Sequence, residues 1–286
     1  GLLSQVLRRT RRAPEPYRYA AKPKEGFQGS RRVRVLAGDC THVRICGRDT
    51  VVLQLTDGET GLFLALEVLD GESQDDLQGP IAEVAAAVGA EVFVSDDADP
   101  MKAVADALGL EHGLCQQHVV PNKLTLLVSI AGQLEKQRAS GRLTPCAQDK
   151  VAQALEDVLA LEELILGRCP GSQTHLDALA RRYEREPLPG KGQRATPFAR
   201  LKLLTGGLAA NWPRLTLTES RRDAQGRRFV PATNNVSEQQ IGLNIKERYR
   251  TMRGYKSETS LRRVVTLTAY LRDARDEQAL IRALAA

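Results

Sequence analysis

Long apolar runs are missing from this sequence, and no stretch approaches the roughly 18 consecutive apolar residues that a membrane-spanning helix needs. The N-terminus also lacks the short apolar core of a secretory signal peptide. Both absences favour a protein of the cytoplasm without a membrane partner. The chain begins with Gly1 instead of Met, which is typical of a processed or trimmed chain.

Cysteine is scarce, and the five residues are odd in number and scattered along the chain. A disulfide framework needs paired cysteines, so we expect reduced thiols. Hydrophobic residues make up 42% and charged residues 27% of the 286 positions. This composition is that of an ordinary soluble protein with one large core or two smaller ones.

The net charge of +6 is only mildly basic, but the charges are unevenly distributed. Positive charge collects in residues 1–24, 219–229 and 246–256, whereas acidic residues dominate from 57 to 106. A polyanion such as nucleic acid would be attracted to the basic segments and repelled by the acidic one, unless cations neutralise the acids. Solvated surface charge is the alternative explanation for each run.

The first third of the chain predicts an α/β fold. Residues 1–30 read as an extended arm or linker, and three β-rich segments with turn residues between them then predict an antiparallel meander. A helix capped near Ser73, interrupted or restarted at Gly79 and Pro80, leads to a short buried strand and another helix. A right-handed crossover places this fourth strand parallel to the first and beside it.

Beyond Cys115, strand signals nearly vanish for about a hundred residues, and apolar residues recur at helical spacing. The sequence therefore predicts a helical insertion within an α/β domain. The predicted parts are a basic arm (1–30), the first part of the α/β core (31–122), the helical insertion (123–230) and the remainder of the core with C-terminal helices (231–286).

Asp39 follows the apolar stretch of the first strand, and Asp96 follows that of the fourth. If the two strands are parallel neighbours, both carboxylates emerge at one edge of the sheet, where ligand sites of α/β sheets lie. Like charges repel there unless a cation separates them. Mg²⁺ prefers oxygen ligands, and Glu238, in the first turn of a predicted helix, would be a third ligand.

Each acid also has a purely structural explanation. Asn235 and Glu238 have the spacing of a helix capping box, and aspartates at strand ends often form turns. Spacing alone cannot assemble the three acids into one site.

Four motifs in order resemble those of the DDE transposases of prokaryotic insertion sequences and Mutator-like elements, over most of residues 33–271. They are AGDCTHVRICG, SDDADPMKAV, CQQH, and TNNVSE followed by RTMRGYKS. The resemblance implies an RNase H-like fold, in which three antiparallel strands plus parallel strands and flanking helices are interrupted by an all-helical insertion. It implies metal-dependent cleavage and transfer of DNA strands at transposon ends.

By the same resemblance, Asp39, Asp96 and Glu238 match the catalytic, metal-binding acids, and Asp97 is a lower-ranked substitute for Asp96. The implied cofactor is a pair of Mg²⁺ or Mn²⁺ ions. The implied partner is double-stranded DNA, both transposon end and target, bound by a homodimer or higher assembly. The implied location is the nucleoid in a prokaryotic cytoplasm.

Cys115 and His118 match a C-x-x-H element of this family that would shape the catalytic pocket or contact DNA. A buried cysteine beside a hydrogen-bonded histidine is the structural alternative. Pro121 stands where the family often has an arginine before Asn122, which removes an expected phosphate contact. Trp212, the sole tryptophan, could stack on an unpaired DNA base, although core packing is the commoner role of a lone tryptophan.

A basic run follows Glu238 and would hold DNA phosphates beside the cutting site. Its members are Lys246, Arg248, Arg250, Arg253 and Lys256. Two other functions fit the same residues: a resolvase-type nuclease that cuts without joining, and a domesticated, inactive DNA-binding relative. The first 30 residues contain no helix-turn-helix or zinc-finger pattern for recognising transposon ends.

Overall fold

The computed structural model describes residues 17–18, 33–45, 47–61, 63–235, 245–246, 250, 255, 257–262 and 264. The chain divides into two compact units. The first combines Gly1–His112 with Phe229–Ala286, and the second is Gly113–Arg228. The chain thus leaves the first unit and returns to it about 116 residues later. The functional division into a core and an insertion domain stays a prediction.

A six-stranded mixed sheet forms the centre of the first unit. Its strands are β1 (Tyr17–Arg18), β2 (Val35–Ile45), β3 (Arg48–Asp57), β4 (Phe63–Leu69), β5 (Val92–Ser95) and β6 (Glu111–Leu114). They lie in the order β1-β4-β3-β2-β5-β6. The β2–β3 and β3–β4 pairs are antiparallel, whereas β2 and β5 are parallel. The predicted meander, the parallel fourth strand and the RNase H-like fold class are confirmed.

Two strands were not predicted. β1 lies within the segment expected to be an arm, and its two residues pair antiparallel with β4. β6 has only four residues, Glu-His-Gly-Leu, and this mixed composition lacks both the apolar run and the alternation that indicate a strand. Neighbouring strands therefore decide both elements, which the local sequence does not specify.

Helices α1 (Gln74–Val88) and α2 (Asp99–Ala107) belong to the first unit. A capping box between Ser73 and Asp76 starts α1, and Gly89, at φ 70°, ends it. The predicted interruption at Pro80 is wrong, because α1 continues through that residue. Its apolar residues share one buried face on both sides of the proline, so packing outweighs the hydrogen bond that proline cannot donate.

The two faces of the sheet carry separate apolar clusters, because successive strand residues point to opposite sides. On one face Leu36 and Phe93 pack with residues of α1 and α2. On the other face, residues of β2, β3 and β4 pack with three residues from the C-terminal part of the chain. These three are Ile245, Tyr255 and Leu261. These three residues therefore cover part of the face opposite α1 and α2.

The second unit is helical. It contains α3 (Gln116–Ala139), α4 (Pro145–Gly167), α5 (Gln173–Tyr183), α6 (Pro197–Leu215) and the short α7 (Leu217–Ser220). The four longer helices, α3 to α6, share one apolar core, and the buried Asp157 beside it binds Arg182 and accepts a 2.7 Å hydrogen bond from the Tyr183 hydroxyl. None of the helices in the described part of the chain combines the length and apolar character needed to cross a lipid bilayer.

Replacing Gly38 with alanine should destabilise the first unit. A Cβ at this position would lie 2.7 Å from Cε2 of the buried Phe93 ring and 3.2 Å from Leu55. We expect Gly38→Ala to lower the free energy of unfolding, measured by urea denaturation, by about 1–3 kcal/mol. Gly132→Ala is the control, since that Cβ would enter open space on a helix and should not destabilise. Equal stabilities of the two variants would contradict the packing described.

Candidate functional site

Asp39 and Asp96 come together through the parallel pairing of β2 with β5. Within this pair, Ala37 lies opposite Val94. Continuing the register by two residues brings Asp39 level with Asp96, the first residue after β5. The two aspartates that the sequence singles out are therefore neighbours in space, although 57 positions separate them in the chain.

β2 does not end at Asp39. Asp39 pairs with Gln54 inside the ladder, and β2 continues to Ile45. It is β5 that stops, one residue before Asp96. The site consequently lies where the shorter strand ends beside a longer one, and the expectation that both acids terminate strands holds for Asp96 alone.

The local contacts distinguish Asp96 from Asp97. Asp96 Oδ1 accepts a 3.2 Å hydrogen bond from the Ala98 backbone N–H, which fixes the orientation of the carboxylate. Asp97 instead accepts a 3.1 Å bond from Lys102 Nζ, which also binds Asp99 at 2.7 Å. Burial opposes the charge of Lys102, but its bonds to Asp99 and Asp97 outweigh that effect and raise its pKa. Asp97 is thus committed to an ion pair.

Cys40 senses a concentration of negative charge at this site. Burial raises the pKa of the Cys40 thiol well above its usual range, and the carboxylates of Glu72, Asp39 and Asp96 raise it further. These carboxylates come from three different parts of the chain, and together they make the electrostatic potential at the thiol negative. Such a concentration of negative charge would attract a divalent cation.

Glu72 was missed by the sequence analysis. It lies between β4 and α1, outside every motif, and its carboxylate is 2.9 Å from Nε2 of His42 on β2. Nothing in the local sequence marks this glutamate. His42, within the motif AGDCTHVRICG, was the only available indication, because a histidine side chain can pair with a nearby carboxylate.

Asn234 fixes the TNN segment against β2. Its Nδ2 donates a 2.6 Å hydrogen bond to the carbonyl oxygen of Gly38, and only 2% of the residue is exposed. Gly38 directly precedes Asp39, so residue 234 is anchored beside the first aspartate across 196 positions of sequence. Glu238, four residues further on, lies outside the described residues. Asn234 had no predicted role within the motif.

The predicted phosphate-binding residues are partly described. Lys246 and Arg250 are exposed. The nearby Ile245 and Tyr255 are buried in the apolar core of the first unit, so their side chains anchor the chain at these two positions. Three further members lie outside the described residues: Arg248, Arg253 and Lys256.

Cys115 and His118 begin α3 in the second unit. Cys115 is buried, and its carbonyl oxygen accepts a 3.2 Å hydrogen bond from the backbone N–H of His118, which is exposed. The two residues thus share a helix turn. Their predicted place near the catalytic acids stays a prediction.

Trp212 is a core residue of the second unit, which corrects its predicted place among the DNA-binding residues. The residue is 1% exposed, and the indole Nε1 donates a 3.1 Å hydrogen bond to the carbonyl oxygen of Cys169. An aromatic ring buried on both faces offers no surface for a base to stack on. The alternative given for a lone tryptophan, core packing, is the one observed.

The donor set at the sheet edge suits a hard cation. Among the described residues, no three His, Cys, Asp or Glu side chains form a group that could hold a metal ion. Mg²⁺, however, is commonly bound by one or two carboxylates, with water and substrate phosphate completing its shell. Asp39 and Asp96 supply two such carboxylates, and the third predicted ligand, Glu238, is outside the described part of the chain.

No protein-family model matches the chain, and no curated protein is significantly similar to it. Among solved structures, the catalytic core domain of BIV integrase is 12% identical, with 74% of this chain and 97% of that chain covered and a TM-score of 0.24. A chain of a simian T-cell lymphotropic virus intasome in complex with PP2A regulatory subunit B56 gamma is 11% identical, with 68% and 59% covered and a TM-score of 0.26. Scores this low establish no shared function.

Asn234→Ala should loosen the TNN segment. The substitution removes a buried hydrogen bond and leaves the Gly38 carbonyl without that donor, so we expect urea denaturation to show a loss of about 1–3 kcal/mol. Asn211→Ala is the matched control, because Asn211 makes a similar bond to the carbonyl of Gly207 within α6, where it is half-buried. If the control loses as much stability as Asn234→Ala, the anchoring role is wrong.

The cysteines should differ in reactivity at pH 8. The thiolate is the reactive form, and the raised pKa of Cys40 keeps its thiol protonated. We expect iodoacetamide to modify the exposed Cys146 and Cys169 first, and Cys40 and buried Cys115 only after unfolding. Peptide mass spectrometry measures the four rates. Modification of Cys40 as fast as Cys146 would show that its thiol is not in the environment described.

Proposed function

We propose that this chain is a DDE-type DNA transposase that cleaves a phosphodiester at the end of a transposon and joins the freed strand to target DNA. One observation carries the proposal: parallel pairing places Asp39 level with Asp96, and Asn234 holds the TNN segment beside them. The order of the four motifs along the chain agrees with this assignment. The sheet topology is that of the fold in which such sites occur.

Asp39, Asp96 and Glu238 would hold the divalent ions. Bound Mg²⁺ or Mn²⁺ ions would supply Lewis acidity at the attacking and leaving oxygens of an in-line displacement. The hydrogen bond from the backbone N–H of Ala98 fixes the orientation of the Asp96 carboxylate. The carboxylate of Asp97 instead forms an ion pair with Lys102. The chain therefore offers one aspartate from each of two adjacent strands.

The covalent chain supports Glu238 as the third acid. Glu238 is the fourth residue after Asn234, and a fully extended chain spans at most about 14 Å over four residues. Asn234 is itself hydrogen-bonded next to Asp39. A glutamate side chain adds further reach, so the chain between Asn234 and position 238 is short enough to be compatible with a carboxylate beside the two aspartates.

Two displacements would occur at this site. In the first, a water oxygen attacks phosphorus, the bond from phosphorus to the 3′ oxygen breaks, and that oxygen leaves as a 3′-hydroxyl. In the second, the 3′-hydroxyl attacks a phosphodiester of the target, so one phosphorus–oxygen bond forms as another breaks. Lys246 and Arg250 are exposed and would neutralise DNA phosphates during both steps.

The substrate is double-stranded DNA, as transposon end and as target. Strand transfer at paired ends requires both ends to be held together, which favours a homodimer or higher assembly on DNA. The basic segments 219–229 and 246–256 suit such a polyanion. We place the activity at the nucleoid of a prokaryotic cell.

Substitution of single acids tests the proposed function. Using DNA from the ends of the element that carries its gene, we expect Mg²⁺-dependent nicking and strand transfer to fall by more than about 100-fold in Asp39→Asn, Asp96→Asn and Glu238→Gln. Asp97→Asn is the control and should retain activity within a few-fold, because its carboxylate pairs with Lys102.

The products distinguish the candidate functions. Joining of pre-cut ends to a target plasmid supports a transposase, whereas cutting without joining would indicate a resolvase-type nuclease. Absence of both reactions in the wild-type protein would indicate a DNA-binding relative. Full activity in Glu238→Gln would overturn the three-acid site.

A further inference from the structure

We propose that His112 and Ser95 form a buried positioning relay that holds Asp96 in its metal-binding orientation. The inference rests on the proposed function, because it assigns a role toward the divalent ion. Ser95 is the first residue of the motif SDDADPMKAV but had no predicted role, and His112 lies outside all four motifs. His112 lies on β6, a strand that the sequence did not predict. In this proposal β6 positions the imidazole beside Ser95.

Ser95 is the last residue of β5 and directly precedes Asp96. It is fully buried, and its hydroxyl makes two contacts. Oγ donates a 3.1 Å hydrogen bond to the carbonyl oxygen of Asp96 and lies 2.9 Å from Nε2 of His112. The backbone of Asp96 is therefore fixed from inside the protein, while the Ala98 N–H fixes its carboxylate from the loop.

The number of available protons gives the relay a direction. A serine hydroxyl carries one proton, and a carbonyl oxygen can only accept. With the Ser95 proton directed to the Asp96 carbonyl, the relay uses the tautomer in which Nε2 of His112 carries a hydrogen and donates to the Ser95 oxygen. Buried hydrogen bonds of this kind strengthen one another, so the three groups act as a single rigid unit.

His112 also braces the strand that carries Asp39. Its ring stacks on Phe93, with centroids 5.7 Å apart and an angle of 22° between the ring planes. The Phe93 ring in turn occupies the space over Gly38, where a Cβ would lie only 2.7 Å from it. One imidazole thus contacts residues adjacent to Asp96 and, through Phe93, supports the residue before Asp39.

Burial decides the kind of role. His112 is 5% exposed and Ser95 is 0% exposed, so neither side chain can touch DNA or a metal-bound water. They can influence a bound metal only indirectly, through Asp96 or through the backbone beside Asp39. Partners in this outer layer of metal sites commonly change metal affinity by about 10–100-fold when removed. A relay that served stability alone would leave metal affinity unchanged in a folded variant.

The test measures Mn²⁺ affinity of the full chain by isothermal titration calorimetry, together with the melting temperature of each variant. We expect Ser95→Ala and His112→Leu to bind Mn²⁺ about 10–100-fold more weakly than wild type. His112→Gln retains an amide donor in place of Nε2 and should recover most of that affinity. Thr205→Val is the control and should bind Mn²⁺ as tightly as wild type. It also removes a buried hydroxyl, but this hydroxyl is bonded to the Leu201 carbonyl in the helical unit.

The outcomes separate this inference from the proposed function. If wild type binds Mn²⁺ and folded Ser95→Ala binds it within twofold, the relay is wrong and the metal site stands. If wild type binds no Mn²⁺, the proposed function fails first and the relay with it. Should Ser95→Ala not fold, the two His112 variants decide: equal affinities of His112→Leu and wild type overturn the relay, and rescue by His112→Gln supports it.

Discussion

The parallel pairing of β2 with β5 is the contact on which the candidate site depends. Its register sets Ala37 opposite Val94, and two positions further on come Asp39, still within β2, and Asp96, the first residue after β5. A shift by one residue would turn one aspartate to the other face of the sheet, because the side-chain period of a strand is two. The buried Leu36 and Phe93 hold that register from the α1 and α2 side.

A second long-range contact closes the site. Asn234 is hydrogen-bonded to Gly38 although 196 positions separate them, and the chain forms the whole second unit in between. Along the sequence, the helical unit therefore lies between the strands near Asp39 and Asp96 and the TNN segment that contains Asn234.

Much of the fold could be predicted from sequence, because long strands and capped helices follow local patterns. The meander, the parallel strand and the end of α1 at Gly89 are of this kind. β6 was missed because its signal lies in its neighbours, and Pro80 misled because tertiary packing outweighed local propensity. Only part of the candidate site could be predicted. Aspartates that follow apolar strands have a recognisable pattern, whereas the contacts of Asn234 and Glu72 depend on which distant segments meet in the fold.

The central claim is that Asp39, Asp96 and Glu238, which are distant in sequence, share divalent ions at the end of β5. A crystal of the full chain soaked with Mn²⁺ and measured at the manganese absorption edge tests it most directly. The claim predicts anomalous density in contact with the carboxylates of Asp39, Asp96 and Glu238. A DNA-bound crystal with no such density, and with Glu238 held away from both aspartates, would contradict it.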